Sequence, residues 1–108
     1  MVTAGPFRFA PTKAGTTLVD DQGRTLYTNA DEKDGVPSCT GSCASFWPPE
    51  LAPPEAQPSG QLGVVRRADG QLQWSWDGKP LYRYAGDSGP GDTWGDGLLG
   101  HWHVVNAR

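Results

Sequence analysis

Asp21-Gln22-Gly23-Arg24-Thr25-Leu26-Tyr27 and Trp76-Asp77-Gly78-Lys79-Pro80-Leu81-Tyr82 decide the fold. Each is a turn followed by a short β-prone run ending in Tyr, and both carry Gly-x-x-Leu-Tyr. Asp and Gly tolerate the backbone angles that a tight reversal needs, so an Asp/Gly turn between β-prone runs reads as a hairpin. In both copies an acidic loop follows the Tyr. Two copies predict two similar β units around one aromatic core, not a long solenoid.

Working outward from the first copy, Thr16–Asp20 is its partner strand, and residues 1–14 form a lead-in with a short alternating run at Phe7-Arg8-Phe9. Residues 29–37 are polar and read as loop. Ser38 to Trp47 is the best candidate for a helical turn, with Ser38 or Thr40 as cap, and Pro48-Pro49 must end it because neither ring offers an N–H. Residues 48–60 read as an extended surface connector. In the second half, Leu62–Arg67 and Gln71–Trp76 are strands around a turn, with Leu72, Trp74 and Trp76 on one face. Pro80–Tyr84 is a strand, residues 85–100 are a Gly- and Asp-rich loop, and His101–Asn106 closes the chain as a strand. The expected fold is therefore mostly β. It is a small single domain (15–108) of two related hairpin units, about 15–49 and 62–106, with a short disulfide-bearing helical turn.

Composition narrows the function. The chain has 108 residues, with 15 Gly and 10 Pro placed between apolar runs. Five Trp, three Tyr and three Phe can fill a core that has no Ile. A net charge of −3 with interspersed signs argues against nucleic acid, which needs a basic face. No apolar run is long enough to span a bilayer. Met1–Gly5 lacks the pattern of a signal peptide, and the expectation is a leader or lipid anchor already removed.

Four features carry candidate chemistry. Cys39 and Cys43, four residues apart on a helical turn, fall within disulfide range. The functional alternatives are a redox pair or a thiolate metal site, though redox motifs normally have two intervening residues. His101 and His103, two apart in a strand, would face one way and suit copper or another transition metal. The structural alternative is one packing His and one exposed His beside a buried Trp102. Asp87, Asp92 and Asp96 lie in the Gly-rich loop and can be hard-cation ligands or turn formers. Tyr82, Tyr84, Trp74 and Trp76 can be a stacking surface for sugars or flat ligands, or core. No nucleophile elbow or phosphate loop is present.

Tyr82-Arg83-Tyr84-Ala85-Gly86-Asp87, Cys39–Cys43 followed by Trp47-Pro48-Pro49, Gly78–Tyr82, Pro90-Gly91-Asp92 and Trp102–Val105 together resemble the bacterial secreted-repeat, or predicted-lipoprotein, family with its Tyr-x-aromatic-x-x-Asp motif. The first copy, starting at Tyr27, departs from that motif, with Asn29 for the aromatic and Glu32 for the Asp. The resemblance runs from about Leu18 to Val105. It implies a periplasmic or cell-surface protein and transfers no catalytic residue. The expectation is a non-enzymatic extracytoplasmic binding or scaffold module. Its motif surface comprises Tyr27, Trp47, Tyr82, Tyr84, Asp87 and Trp102, and its partner is a metal ion or another envelope protein. A copper-type protein using His101 and His103 and a disulfide redox protein are the alternatives.

Overall fold

The computed structural model describes residues 6–32 and 35–107. Met1 and the start of the lead-in, and Lys33-Asp34 of the first acidic loop, lie outside the described residues. The fold is mostly β, as the sequence predicts. β1 (Arg8–Thr12) and β2 (Gly15–Val19) form an antiparallel hairpin, with Phe9 opposite Leu18. β3 (Tyr27–Asn29) follows the first repeat turn. α1 is one short helical stretch, Ser42–Phe46. β4 (Leu62–Arg66), β5 (Leu72–Trp76) and β6 (Lys79–Pro80) form a meander. A 3-10 turn at Leu98–Gly100 leads into β7 (Trp102–Val104), which pairs with β3.

Three details depart from expectation. Gly41, not Ser38 or Thr40, caps α1, and no side chain bonds there. Ser38 instead donates its N–H and hydroxyl to Glu32. The last strand starts at Trp102, so His101 closes the 3-10 turn instead of standing in the strand. Gly100 at φ 77° turns the chain just before it. Strand β5 is also buried on both faces, because Gln73 and Ser75 are covered as fully as Trp74.

Backbone pairing shows how the repeats are assembled. Leu26 N–H donates to Leu18 C=O (3.1 Å), and Leu81 N–H donates to Trp74 C=O (2.9 Å). Leu18 N–H in turn bonds Val105 of the second repeat (2.8 Å), and Trp74 N–H bonds Glu50 of the first (2.9 Å). Tyr27 pairs with Val104, and Tyr82 pairs with Pro49. Tyr27 and Tyr82 exchange both backbone bonds with each other at 2.8 and 2.9 Å. The end of each repeat thus completes the sheet of the other, around an approximate twofold axis between the two tyrosines. The segment after Trp47 is part of this exchange: Pro49 and Leu51 bridge to Tyr82 and Gln73 before the chain becomes a connector.

Two apolar clusters result. Phe7, Leu18, Leu26, Leu62, Trp74 and Leu81 form one, with Phe9 and Trp76 packed at its margin. Tyr27, Cys39, Trp47, Tyr82, Trp102 and Val104 form the other. Large aromatic rings fill volume that Ile and Val fill in other β domains.

Candidate functional site

The second cluster gathers nearly all the residues of the predicted motif surface. Trp47 and Trp102, equivalent in the two repeats, stack face to face with centroids 3.8 Å apart and planes 4° apart. Tyr27 meets Trp47 edge-on at 5.4 Å, and Tyr82 meets Trp102 edge-on at 5.2 Å. Tyr84 tilts against Trp47 at 4.5 Å. Gly95 is required beside this stack: a Cβ there would come within 2.7 Å of the Trp47 ring.

Both tyrosine hydroxyls are tied to a carboxylate of the opposite repeat. Tyr27 donates to Asp87 Oδ2 at 2.7 Å, and Tyr82 donates to Glu32 Oε2 at 2.6 Å. The acid at the end of each motif therefore serves the tyrosine that opens the other motif, and Glu32 does this where the motif has Asp. Asp87 Oδ1 also accepts the Trp94 N–H at 2.9 Å, and Gly95 N–H donates to the Tyr27 oxygen at 3.3 Å. Burial raises the pKa of Asp87 more than the Tyr27 hydrogen bond lowers it. Burial, reinforced by the Asp87 bond, pushes the Tyr27 phenol up strongly, and burial with the Glu32 bond pushes Tyr82 up to about 12. Both phenols stay protonated donors near neutral pH.

A second polar network fixes the disulfide region. Cys39 and Cys43 are bonded, with Cα atoms 5.2 Å apart. The buried Arg67 guanidinium donates to Cys39 C=O and to Gln73 Oε1, both at 2.7 Å, and Gln73 Nε2 donates to Leu81 C=O at 2.6 Å. Arg66-Arg67 reads in the sequence as a basic pair; in the structure Arg66 at the end of β4 is exposed, while Arg67, just past the strand, is buried.

The candidate metal ligands occupy separate settings. His101 Nδ1 lies 3.2 Å from Asp31 Oδ2, while His103 is exposed in β7 opposite Thr28. Asp92 accepts from Ser88 N–H, Ser88 Oγ and Gly89 N–H, which hold its carboxyl below the usual range, and Lys13 lies 3.7 Å away. Asp96 accepts from Val104 N–H. Among the described residues, no group of three or more His, Cys, Asp or Glu is placed to hold a metal ion. Each loop carboxylate instead shapes the loop.

Beside β3 and β7 lies an open cleft of about 480 Å³. Phe9, Trp76, Gln61, Asp77, Lys79 and Asn106 are among its walls. Phe9 packs edge-on to Trp76 at 5.7 Å. Gln61 Nε2 donates to both oxygens of Asp77, at 3.2 and 3.0 Å. Asp77 takes φ 52° at the head of the Asp77-Gly78 turn, and its side chain is exposed. Trp74, by contrast, is buried against Phe7 and cannot face a ligand. Alternation in β5 pairs Trp74 with Trp76 on one face, and of the two Trp76, at the end of the strand, lines the cleft.

The chain belongs to the family described as a secreted repeat of unknown function, whose model matches residues 9–50 and 63–106. The two matches coincide with the two units that exchange strands. That description supports an extracytoplasmic location, and among the described residues no helix is long and apolar enough to cross a membrane. No curated protein and no solved structure matches the chain.

Proposed function

We propose that this chain is an extracytoplasmic, non-enzymatic binding module, periplasmic or cell-surface, whose ligand seat is the cleft beside Trp76. The cleft carries this reading: it combines two partly covered aromatic rings, Phe9 and Trp76, with exposed polar groups along its wall. Preformed concavities of this kind with a few convergent polar groups are the usual ligand seats of small domains. The copper reading has less support, since His101 and His103 have no third ligand among the described residues. The redox reading has less support than a staple, since Cys39 is buried and its carbonyl is held by Arg67. Nuclear magnetic resonance titration with a ligand library tests the proposal. Shifts confined to the amides of 61, 76–79 and 104–107 are expected. Shifts centred on His101 and His103 with copper, and none in the cleft with any ligand, would overturn it.

A further inference from the structure

The composition of the cleft wall narrows the ligand, given the binding-module reading above. We infer that the cleft takes an uncharged saccharide. Among the described residues, the charged groups of its wall are one carboxylate, Asp77, and one ammonium, Lys79, which balance each other and favour neither an anion nor a cation. A phosphorylated or carboxylated ligand would need a surplus of cationic donors, and the described wall residues supply only Lys79, offset by Asp77. A purely apolar ligand would cover Gln61, Asp77 and Asn106 and leave them without water, at a cost for each. The remaining class is one with an apolar face and a hydroxyl edge, and a pyranose ring has both.

The geometry matches those two faces. Trp76 is held from one side by the Phe9 ring at an interplanar angle of 79°, so its orientation is fixed while part of it stays exposed to the cleft. A fixed indole is a platform for the axial C–H face of a sugar. Beside it, the Gln61 amide nitrogen is shared between the two Asp77 carboxylate oxygens. Gln61 Oε1 and the outer lone pairs of Asp77 accept from hydroxyls, and the Lys79 ammonium and the Asn106 amide donate to hydroxyl oxygens. Adjacent hydroxyls donate and accept together, which suits such a mixed row. Both repeats contribute: Phe9 comes from the first and Trp76, Asp77 and Asn106 from the second.

The test is calorimetry and tryptophan fluorescence of the intact chain with oligomers of N-acetylglucosamine and of glucose. Parallel runs use inorganic phosphate and a short polyuronate as charged controls. Binding by a neutral oligomer with a fluorescence change, and none by the charged probes, is expected. Trp76→Ala is expected to weaken binding about tenfold through loss of the ring face. The exposed Asn106→Ala and Gln61→Ala, which leave the core untouched, guard against a folding defect in that variant and are expected to weaken binding severalfold. Binding that all three variants leave unchanged overturns the site. Cleft shifts with a charged or apolar ligand, but not with any neutral saccharide, overturn the saccharide assignment and keep the binding-module reading. No cleft shifts with any ligand overturn both.

Discussion

Replacing Tyr27 with Phe removes one oxygen from the centre of the second cluster and leaves every ring in place. Asp87 Oδ2 then loses its 2.7 Å donor, and the Gly95 N–H loses its acceptor. Asp87 is 5% exposed, so water replaces the lost donor poorly. A hydrogen bond to a charged group contributes about 1.5–3 kcal/mol, and the stranded Gly95 N–H adds to that, so the expected loss is about 2.5 kcal/mol. For a domain near 100 residues this lowers the Tm by roughly 15 °C. Tyr84→Phe is the control: no hydrogen bond to the Tyr84 hydroxyl is present among the described residues, so the change is expected within about 0.5 kcal/mol. Thermal melts with the Tyr27→Phe/Asp87→Asn cycle supply the coupling, expected at about 1–2 kcal/mol. The penalty has a pH signature. The bond favours ionised Asp87, so the gap between wild type and Tyr27→Phe is full above the folded pKa of Asp87 and narrows as pH falls through it. A Tyr27→Phe melt that matches Tyr84→Phe at neutral pH refutes the reasoning.

Four further outcomes follow from the same structure. Burial outweighs Arg83, whose Nε sits 3.0 Å from Glu50 without pointing along the line between them, and pushes the Glu50 carboxyl up to about 7. A carboxyl with a raised folded pKa binds more protons folded than unfolded, so stability falls as pH rises from about 4.5 to about 7; chemical denaturation across that range shows this slope in wild type and a flatter one in Glu50→Gln. Reduction of the disulfide, or a Cys39→Ser/Cys43→Ser pair, costs about 2 kcal/mol by loop closure, read as a shift in the urea midpoint. Arg67→Ala strands the Cys39 carbonyl and Gln73 Oε1 and costs about 3 kcal/mol in the same assay, whereas Arg66→Ala, on the exposed side of β4, stays within about 0.5 kcal/mol. Because each repeat completes the other's sheet, residues 1–57 and 58–108 produced separately are each unfolded by circular dichroism, and mixing them restores the β signal.

Local chemistry in the sequence makes the turns, the short strands, the Cys-bearing helical turn and the internal repeat legible. Asp-Gly and Gly-x-x-Leu-Tyr act within a few residues and leave little choice. What lies beyond reach is pairing at a distance. Pro48-Pro49 reads as the end of a helix, and nothing local shows that this segment enters the opposite repeat's sheet, because the prolines have no N–H to give and the bridge rests on Pro48 C=O and Glu50 N–H. Glu32 reads as a lapse from the Asp motif, whereas in space the carboxylate reaches Tyr82 and the longer side chain makes up the distance. The strand bounds around the His pair shift for a related reason. Strand alternation predicts a common face for His101 and His103, but Gly97 and Gly100, both with positive φ, tighten the chain into a 3-10 turn that takes His101 out of the strand. Arg67 is similarly invisible as a core residue, since burial of a guanidinium depends on carbonyl acceptors brought from remote segments.

The mutual completion of the two repeats has a consequence for how such a chain can vary. A chain carrying one unit could close its sheet only against a second copy about a twofold axis, and would exist folded only at concentrations above its dissociation constant. Joining two units through the 53–60 segment turns that encounter into an internal one, independent of protein concentration. It also frees the two halves from being identical. One half now holds the Cys39–Cys43 bridge, while at the corresponding place the other half holds Trp94, exposed beside Lys13, and the Asp-rich loop. The Tyr27–Asp87 and Tyr82–Glu32 crossings and the Trp47–Trp102 stack are among the contacts that still oblige the halves to change together.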